Sequence, residues 1–320
     1  MKISVVIPLF NKARHIQRAI RSVLAQTWQD FELIVVDDGS TDGSGEVVRQ
    51  IGDPRIRLIV QDNAGVSAAR NRGIQEATAD LVAFLDADDE WLPCFLGTVM
   101  ELRVRYPEAG MYATAYRYSQ GGTTWQPAFA NCRTSPQGGL LDDYFHAAMA
   151  TPPVCSSVVM IPKRILAEAG NFPMGIKRGE DLQTWAWIAL RYRVAWSPNA
   201  CAIYHLSADN RACNMDWVTA DMAAAPMIEE FLRSGIEPVS SRRMIEEYLV
   251  SQRLPILINC YLRGKRGWAL GILRKMRETS IFRRKRLLVF WCVLCVPSWI
   301  ARCALALKAR LRRATRPLHQ

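Results

Sequence analysis

The sequence predicts an α/β fold: a Rossmann-like, mostly parallel sheet flanked by helices, with a helical C-terminal appendage. Three observations carry that prediction. Within the first hundred residues, apolar runs of strand length alternate four times with stretches whose apolar residues recur at helical spacing. Acidic or turn-forming residues follow these runs, as at Pro8-Leu9-Phe10-Asn11, Asp37-Asp38-Gly39 and Asp86-Ala87-Asp88-Asp89. Half of the 320 residues are hydrophobic, which supports a large core and excludes global disorder.

The elements follow in order. Residues 3–9 read as a first strand rather than a secretory signal, because the apolar core is too short and leads straight into a turn. Ile16, Ala19, Ile20, Val23 and Leu24 then repeat as one helical face. Residues 32–36 are a second strand; Gly39 permits a tight turn, and Ser40 to Asp42 offer caps for a helix through about Gln50. Residues 57–60 are a third strand, with a helix over 66–77, and residues 81–85 a fourth, with Pro93 opening another helix. Such alternation implies parallel pairing with right-handed crossovers. Further on, strands are predicted at 111–118 and 156–161, a loop at 119–138, a helix at 162–169, and an amphipathic helix after Gly179. Two short closing strands are predicted at 194–196 and 202–205. From about 215 the pattern is helical throughout.

Charge divides the chain unevenly. The net charge is +11, yet from Arg263 onward there are 16 Lys and Arg against a single acid, Glu278, whereas residues 1–262 carry 25 basic against 29 acidic residues. The tail alone therefore suits an anionic partner. Its apolar segment 287–301 is flanked by Arg283 to Arg286 and by Lys308, Arg310, Arg312, Arg313 and Arg316. It is shorter than the roughly 20 residues needed to cross a bilayer, contains Pro297, and carries basic clusters on both sides. Attachment in the plane of an anionic leaflet, or as a re-entrant segment, is the expectation. Nucleic acid is not the expected partner, because these cations border aliphatic and Trp residues. The nine cysteines are scattered and form no zinc pattern, so reduced thiols are expected.

The stretch Phe84-Leu85-Asp86-Ala87-Asp88-Asp89 carries the most chemistry. It places carboxylates where a buried strand gives way to loop, at the sheet edge where α/β proteins bind ligands. In an extended segment Asp86 and Asp88 point the same way, and their hard oxygens suit Mg²⁺ or Mn²⁺ shared with substrate phosphates.

Five motifs now occur in order. They are Val5-Val-Ile-Pro-Leu-Phe-Asn11, Val35-Val-Asp-Asp-Gly-Ser-Thr-Asp-Gly-Ser44, Asn63-Ala-Gly-Val-Ser-Ala-Ala-Arg-Asn-Arg-Gly73, Leu85-Asp-Ala-Asp-Asp89 and Gly179-Glu-Asp181. Together they resemble glycosyltransferase family 2, inverting enzymes of the GT-A fold that use nucleotide-sugar donors, over roughly residues 1–210. The resemblance implies a catalytic domain at 1–212, with a nucleotide-binding half at 1–100 and an acceptor-binding half at 101–212. Residues 213–320 are left as the helical, basic C-terminal region. It implies nucleotide contacts from Pro8, Leu9, Phe10, Asp38, Arg70 and Asp86. Asp88, Asp86 and His205 would hold a divalent metal, Mg²⁺ or Mn²⁺. Asp181 would be the base that accepts the acceptor's hydroxyl proton, with Glu180 orienting the acceptor or capping the helix. Placed at a helix N-terminus, Asp181 is expected to have a lowered pKa. Trp185 would border the acceptor or, equally, the core.

The donor implied is of UDP or dTDP type and the acceptor a glycan or lipid-linked glycan, as in bacterial polysaccharide or lipopolysaccharide assembly. The expected location is the cytoplasmic side of the inner membrane, peripheral or monotopic. The chain departs from processive members, which carry Gln-x-x-Arg-Trp where this sequence has Gln183-Thr184-Trp185, so transfer of a single sugar is expected. A dinucleotide oxidoreductase is disfavoured because no Gly-x-Gly-x-x-Gly turn follows the first strand. The competing reading from another class is a membrane-tethered nucleotide-sugar-binding module without activity.

Overall fold

Aliphatic and β-branched residues favour pleated, buried strands, and the first such run, Ile3–Leu9, forms β1 with Val5, Val6 and Ile7 fully buried. The computed structural model describes residues 1–176, 178–207 and 222–277. After β1 come α1 (Ile16–Leu24), β2 (Phe31–Asp38), α2 (Ser44–Arg49), β3 (Ile56–Gln61), α3 (Val66–Glu76) and β4 (Leu81–Phe84). The short β5 (Glu90–Trp91) leads to α4 (Phe95–Arg105) and β6 (Met111–Gln120). Then follow β7 (Thr123–Trp125), β8 (Gly139–Leu140), α5 (Tyr144–Ala148), β9 (Val159–Pro162), α6 (Lys163–Glu168), α7 (Glu180–Arg191) and β10 (Val194–His205). Helices α8 (Ala225–Arg233), α9 (Arg242–Leu262) and α10 (Arg266–Arg277) complete the described chain.

The central path of the sheet runs β3-β2-β1-β4-β9-β6-β10-β5. Its first four strands are all parallel, so the carboxyl ends of β1, β2 and β4 share one edge. Beyond β4 the sheet is mixed: β9 is antiparallel to both β4 and β6, whereas β10 runs parallel to β6. The two closing strands expected at 194–196 and 202–205 are one strand. Pro198 lacks an N–H and shifts the register between Ser197 and Ala200, and a second shift precedes Ile203, without ending the pairing. The expected loop at 119–138 carries the hairpin strand β7 against β6.

Helix α3 lies unusually close to the sheet. A Cβ at Gly73 would fall 2.3 Å from Val6 Cγ1, so only glycine lets this helix approach β1. One turn earlier on the same buried side stands Arg70.

Residues 1–207 together with 223–241 belong to one compact unit, and 242–277 belong to a second. In the second, α9 and α10 pack on one another through a turn at Gly264, whose φ is +76°. No helix among the described residues is long and apolar enough to cross a membrane. The segment 287–301 and its flanking basic clusters lie outside the described residues.

Candidate active site

The acidic stretch after β4 is a turn rather than an extended segment. The Asp89 N–H donates to the Asp86 carbonyl at 3.1 Å, so Asp86 and Asp88 are presented by a turn and not along one face of an extended strand as their spacing suggested. Each has its own cation instead. Asp88 Oδ2 lies 2.9 Å from Lys12 Nζ, and Asp86 Oδ1 lies 2.9 Å from the Arg70 guanidinium. Lys12 is held there by the bend after β1. Asn11 adopts φ +51°, and the N–H groups of Asn11, Lys12 and Ala13 donate to Ser40 Oγ, Ser44 Oγ and Asp42 Oδ2 at 2.9 to 3.0 Å. Pro8 and Leu9 are therefore buried strand end, and Phe10, 46% exposed, follows them at this bend.

Arg70 is the hub of the site. It is 3% exposed, and its other terminal nitrogen lies 2.8 Å from Glu180 Oε1, while its guanidinium sits 5.1 Å from the centre of the Phe172 ring. Burial alone would weaken its charge, but Asp86 and Glu180 reverse that and raise its pKa. The expectation that Arg70 reaches a base or diphosphate is therefore corrected, because both ends of its planar fork are already engaged. Its work is to bring the acidic turn and the start of α7 together. Glu180 is likewise committed to Arg70 and not free to orient an acceptor.

Asp181 follows at the first turn of α7 and remains partly open to solvent. Its Oδ1 accepts a 2.8 Å hydrogen bond from the Leu182 N–H. The lowered pKa expected from the helix terminus does not result. Desolvation, with the charge of Glu180 beside it, outweighs Arg70 and the backbone donor and pushes the carboxyl up to about 6. Asp86 is also raised, chiefly by burial.

Asp89, to which the sequence assigned no role, is the buried brace of the region. It is 2% exposed; its Oδ2 accepts from Ser157 Oγ at 2.5 Å and its Oδ1 from the His205 N–H at 2.9 Å. Ser157 Oγ in turn accepts from the Asp86 N–H at 3.2 Å. One carboxylate thus ties the acidic turn to the segment before β9 and to the end of β10. The His205 ring does not join Asp86 and Asp88. Its Nε2 is 2.9 Å from Glu90 Oε1, and among the described residues no three His, Cys, Asp or Glu side chains converge as a ready-made metal cage.

Two further expectations need correction. Asp38 sits at the floor of the site, 2% exposed, but its carboxylate already accepts from Gln61 Nε2 and from the N–H groups of Ala64 and Gly65 at 2.7 to 3.0 Å. It shapes the loop that starts α3 and keeps at most one lone-pair direction for a ligand. Trp185 is fully buried, edge-on to Phe172 at 5.6 Å between ring centres, so it belongs to the core and cannot border an acceptor. Residues not singled out from the sequence are Lys12, Ser157 and Glu90. Lys12 and Glu90 carried a signal, as a cation directly after the first strand's turn and as the acid extending the acidic run.

Two carboxylates with hard oxygens are what a divalent cation takes from a protein when substrate phosphates and water complete its shell. Asp86 and Asp88 fit that donor set, with Lys12 and Arg70 as their present counter-charges. A recess of about 540 Å³ between α3, α6 and residues 171–174 includes none of these acids in its lining.

A mixed sheet whose first four strands are parallel, flanked by helices and ending in an acidic turn at its carboxyl edge, is an α/β fold of GT-A type. The family model for glycosyl transferase family 2 matches residues 4–161 of the chain. YibD of Escherichia coli K12, an uncharacterized glycosyltransferase, is 40% identical over 128 residues, covering 39% of this chain and 37% of its own. TuaG of Bacillus subtilis 168, named for teichuronic acid biosynthesis, is 28% identical over 68% of this chain and 84% of its own. The chain spans about a third of the length of the first curated relatives it matches. Among solved structures, Staphylococcus aureus TarS 1–349 with UDP aligns with a TM-score of 0.67 at 18% identity, over 85% of this chain and 80% of that one. The mannosyltransferase PcManGT of Pyrobaculum calidifontis, solved with GDP-Man and Mn²⁺, aligns with a TM-score of 0.57 at 19% identity, over 91% and 84%. At these identities the two structures establish the shared fold.

Proposed function

We propose that this protein is an inverting glycosyltransferase that moves one sugar from a nucleoside-diphosphate sugar to a hydroxyl of a glycan or glycolipid acceptor, aided by a divalent cation. The observation that carries this reading is Asp181: a carboxylate at a helix start, beside the Arg70–Asp86–Glu180 hub, raised to about 6 by burial. A general base works best with a pKa near the working pH. In the proposed reaction Asp181 takes the proton of the acceptor hydroxyl as that oxygen attacks the sugar carbon from the side opposite the leaving diphosphate. Arg70 holds Asp86 and Glu180 in place, and Asp89 braces the turn that carries Asp86 and Asp88. A bound Mg²⁺ or Mn²⁺ held by Asp88 and Asp86 would neutralise charge on the leaving diphosphate. The donors in the TarS and PcManGT structures support a nucleotide-linked sugar, and Mn²⁺ in the second supports a metal.

The test is release of nucleoside diphosphate from a panel of UDP-, dTDP- and GDP-sugars, with and without Mg²⁺ or Mn²⁺. Release that needs the cation and falls about 10²- to 10⁴-fold in Asp181→Asn is the expected result. If no donor turns over and the substitution changes nothing, the reading fails, and a binding module without activity takes its place.

The same proposal places the protein at the cytoplasmic face of the inner membrane, held by its basic C-terminal region, where a lipid-linked acceptor of surface-polysaccharide assembly would be met. The excess of 16 cations over one acid from Arg263 onward supports it. Deleting residues 280–320 should abolish binding to anionic vesicles; full-length protein that ignores such vesicles would refute the attachment.

A further inference from the structure

Two cysteines distant in sequence meet beside the site. Cys94 is the exposed residue that precedes α4, and Cys201 is fully buried in β10. Their Sγ atoms are 3.1 Å apart, with Cys201 Sγ also 3.7 Å from Thr98 Oγ1 one turn into α4. A disulfide bond measures about 2.05 Å, so bonding requires an approach of about 1 Å. The hydrogen bond from the Leu92 N–H to the Cys201 carbonyl, at 2.8 Å, already holds the two segments side by side.

The two thiols are chemically unequal. Cys94 immediately precedes an 11-residue helix and is open to solvent, where a dissolved oxidant can reach its sulfur. Cys201 is buried, and burial together with its neighbour Cys94 pushes its thiol up to about 12. An exposed sulfur that an oxidant can reach and a buried sulfur held in contact with it are the attacking and resolving halves of a redox pair. The thiols of Cys132, Cys155 and Cys260 are all shifted upward by burial and are slower nucleophiles.

We propose that Cys94 and Cys201 form a reversible disulfide, with a hydroperoxide as oxidant. The Cys94 thiolate attacks one peroxide oxygen, the O–O bond breaks, and Cys94 becomes a sulfenic acid while the departing oxygen takes a proton. The Cys201 sulfur then attacks the Cys94 sulfur; the S–S bond forms, the S–O bond breaks, and the Cys201 proton leaves in the water released. Two thiols lose two electrons and two protons, and hydrogen peroxide becomes two waters. A dithiol reductant reverses the change. The cross-link would join residues 107 apart, fastening the segment after the acidic turn to the strand that ends in His205.

The test uses the full chain, reduced and then exposed to hydrogen peroxide, with free thiols alkylated before proteolysis and mass spectrometry. A peptide pair joining Cys94 to Cys201 is expected, together with a Tm raised by several degrees because the cross-link constrains the unfolded chain, both reversed by dithiothreitol. Cys201→Ala should leave a sulfenic acid at Cys94 that dimedone traps, whereas Cys94→Ser should leave Cys201 unoxidised by peroxide and still alkylatable once the protein is unfolded. These readouts do not depend on sugar transfer. Both thiols remaining alkylatable in the oxidised wild type, or either one pairing with a different cysteine, would overturn the proposal.

Discussion

The carboxylate of Asp89 accepts a 2.9 Å hydrogen bond from the backbone N–H of His205, 116 residues further along the chain. With Ser157 Oγ on its other oxygen, Asp89 is where the acidic turn and β10 are tied together. Asp89→Ala strands both donors in a buried space, and an unsatisfied buried donor costs about 1–3 kcal/mol. The expected outcome is a loss of that size or somewhat more in urea denaturation, with weaker binding of nucleoside diphosphate by calorimetry. Unchanged affinity in a folded Asp89→Ala protein would separate the brace from the site.

Asp181 sets opposite pH trends for activity and stability. Its pKa is raised from 3.8 to about 6 in the folded protein, so the folded state binds this proton more tightly than the unfolded state does. Its contribution to stability is therefore greatest below pH 4 and declines as pH rises to 6, while the deprotonated base needed for transfer appears over that same interval. Turnover should rise through an apparent pKa near 6. Asp181→Asn should lose most of its activity yet gain stability relative to wild type between pH 4 and pH 7, measured as the difference in urea midpoints.

Arg70→Ala leaves the buried Glu180 and the partly buried Asp86 without their shared cation. Breaking a buried ion pair on one side costs about 3–5 kcal/mol. The loss should shrink in Arg70→Ala/Glu180→Gln, where one of the two orphaned charges is gone. A thermodynamic cycle over the wild type, the two single variants and the double variant tests the coupling.

Gly73→Ala sets helix propensity against packing. Alanine in a helix interior gains about 1 kcal/mol over glycine, but here the new Cβ lies 2.3 Å from Val6 Cγ1 on a fully buried strand. Overpacking costs about 1–3 kcal/mol, and a β-branched valine cannot swing aside easily. Net destabilisation is expected in chemical denaturation, with recovery in the pair Gly73→Ala/Val6→Ala.

Lys12→Ala removes the cation now paired with Asp88. A partly exposed pair of this kind contributes up to about 1 kcal/mol, so Mn²⁺ should bind the nucleotide-free protein up to about fivefold more tightly, read by calorimetry. Weaker Mn²⁺ binding would show that Lys12 supports the site and does not compete for it.

The first four strands and the helices between them were legible because their apolar periodicity is local, and each strand-to-helix turn carries its own chemistry. Asp86, Asp88 and Asp181 were legible as acids at the ends of recognisable elements. Asp89 was not, since nothing in a run of acids says which one turns inward to meet Ser157 and His205. Trp185 was ambiguous for a similar reason: helical spacing marks a face, and only the neighbouring Phe172 shows that this face is core.

What the sequence by itself determined, then, is the parallel half of the sheet, the family the domain resembles and the inventory of charged groups at its edge. Tertiary structure alone decided their states. Arg70 became a buried brace because acids from two distant segments converge on it, and Asp181 was pushed up because burial outweighs the helix terminus. Pairing partners and desolvation depend on which side chains the fold brings together in space, and that information is not local in the chain.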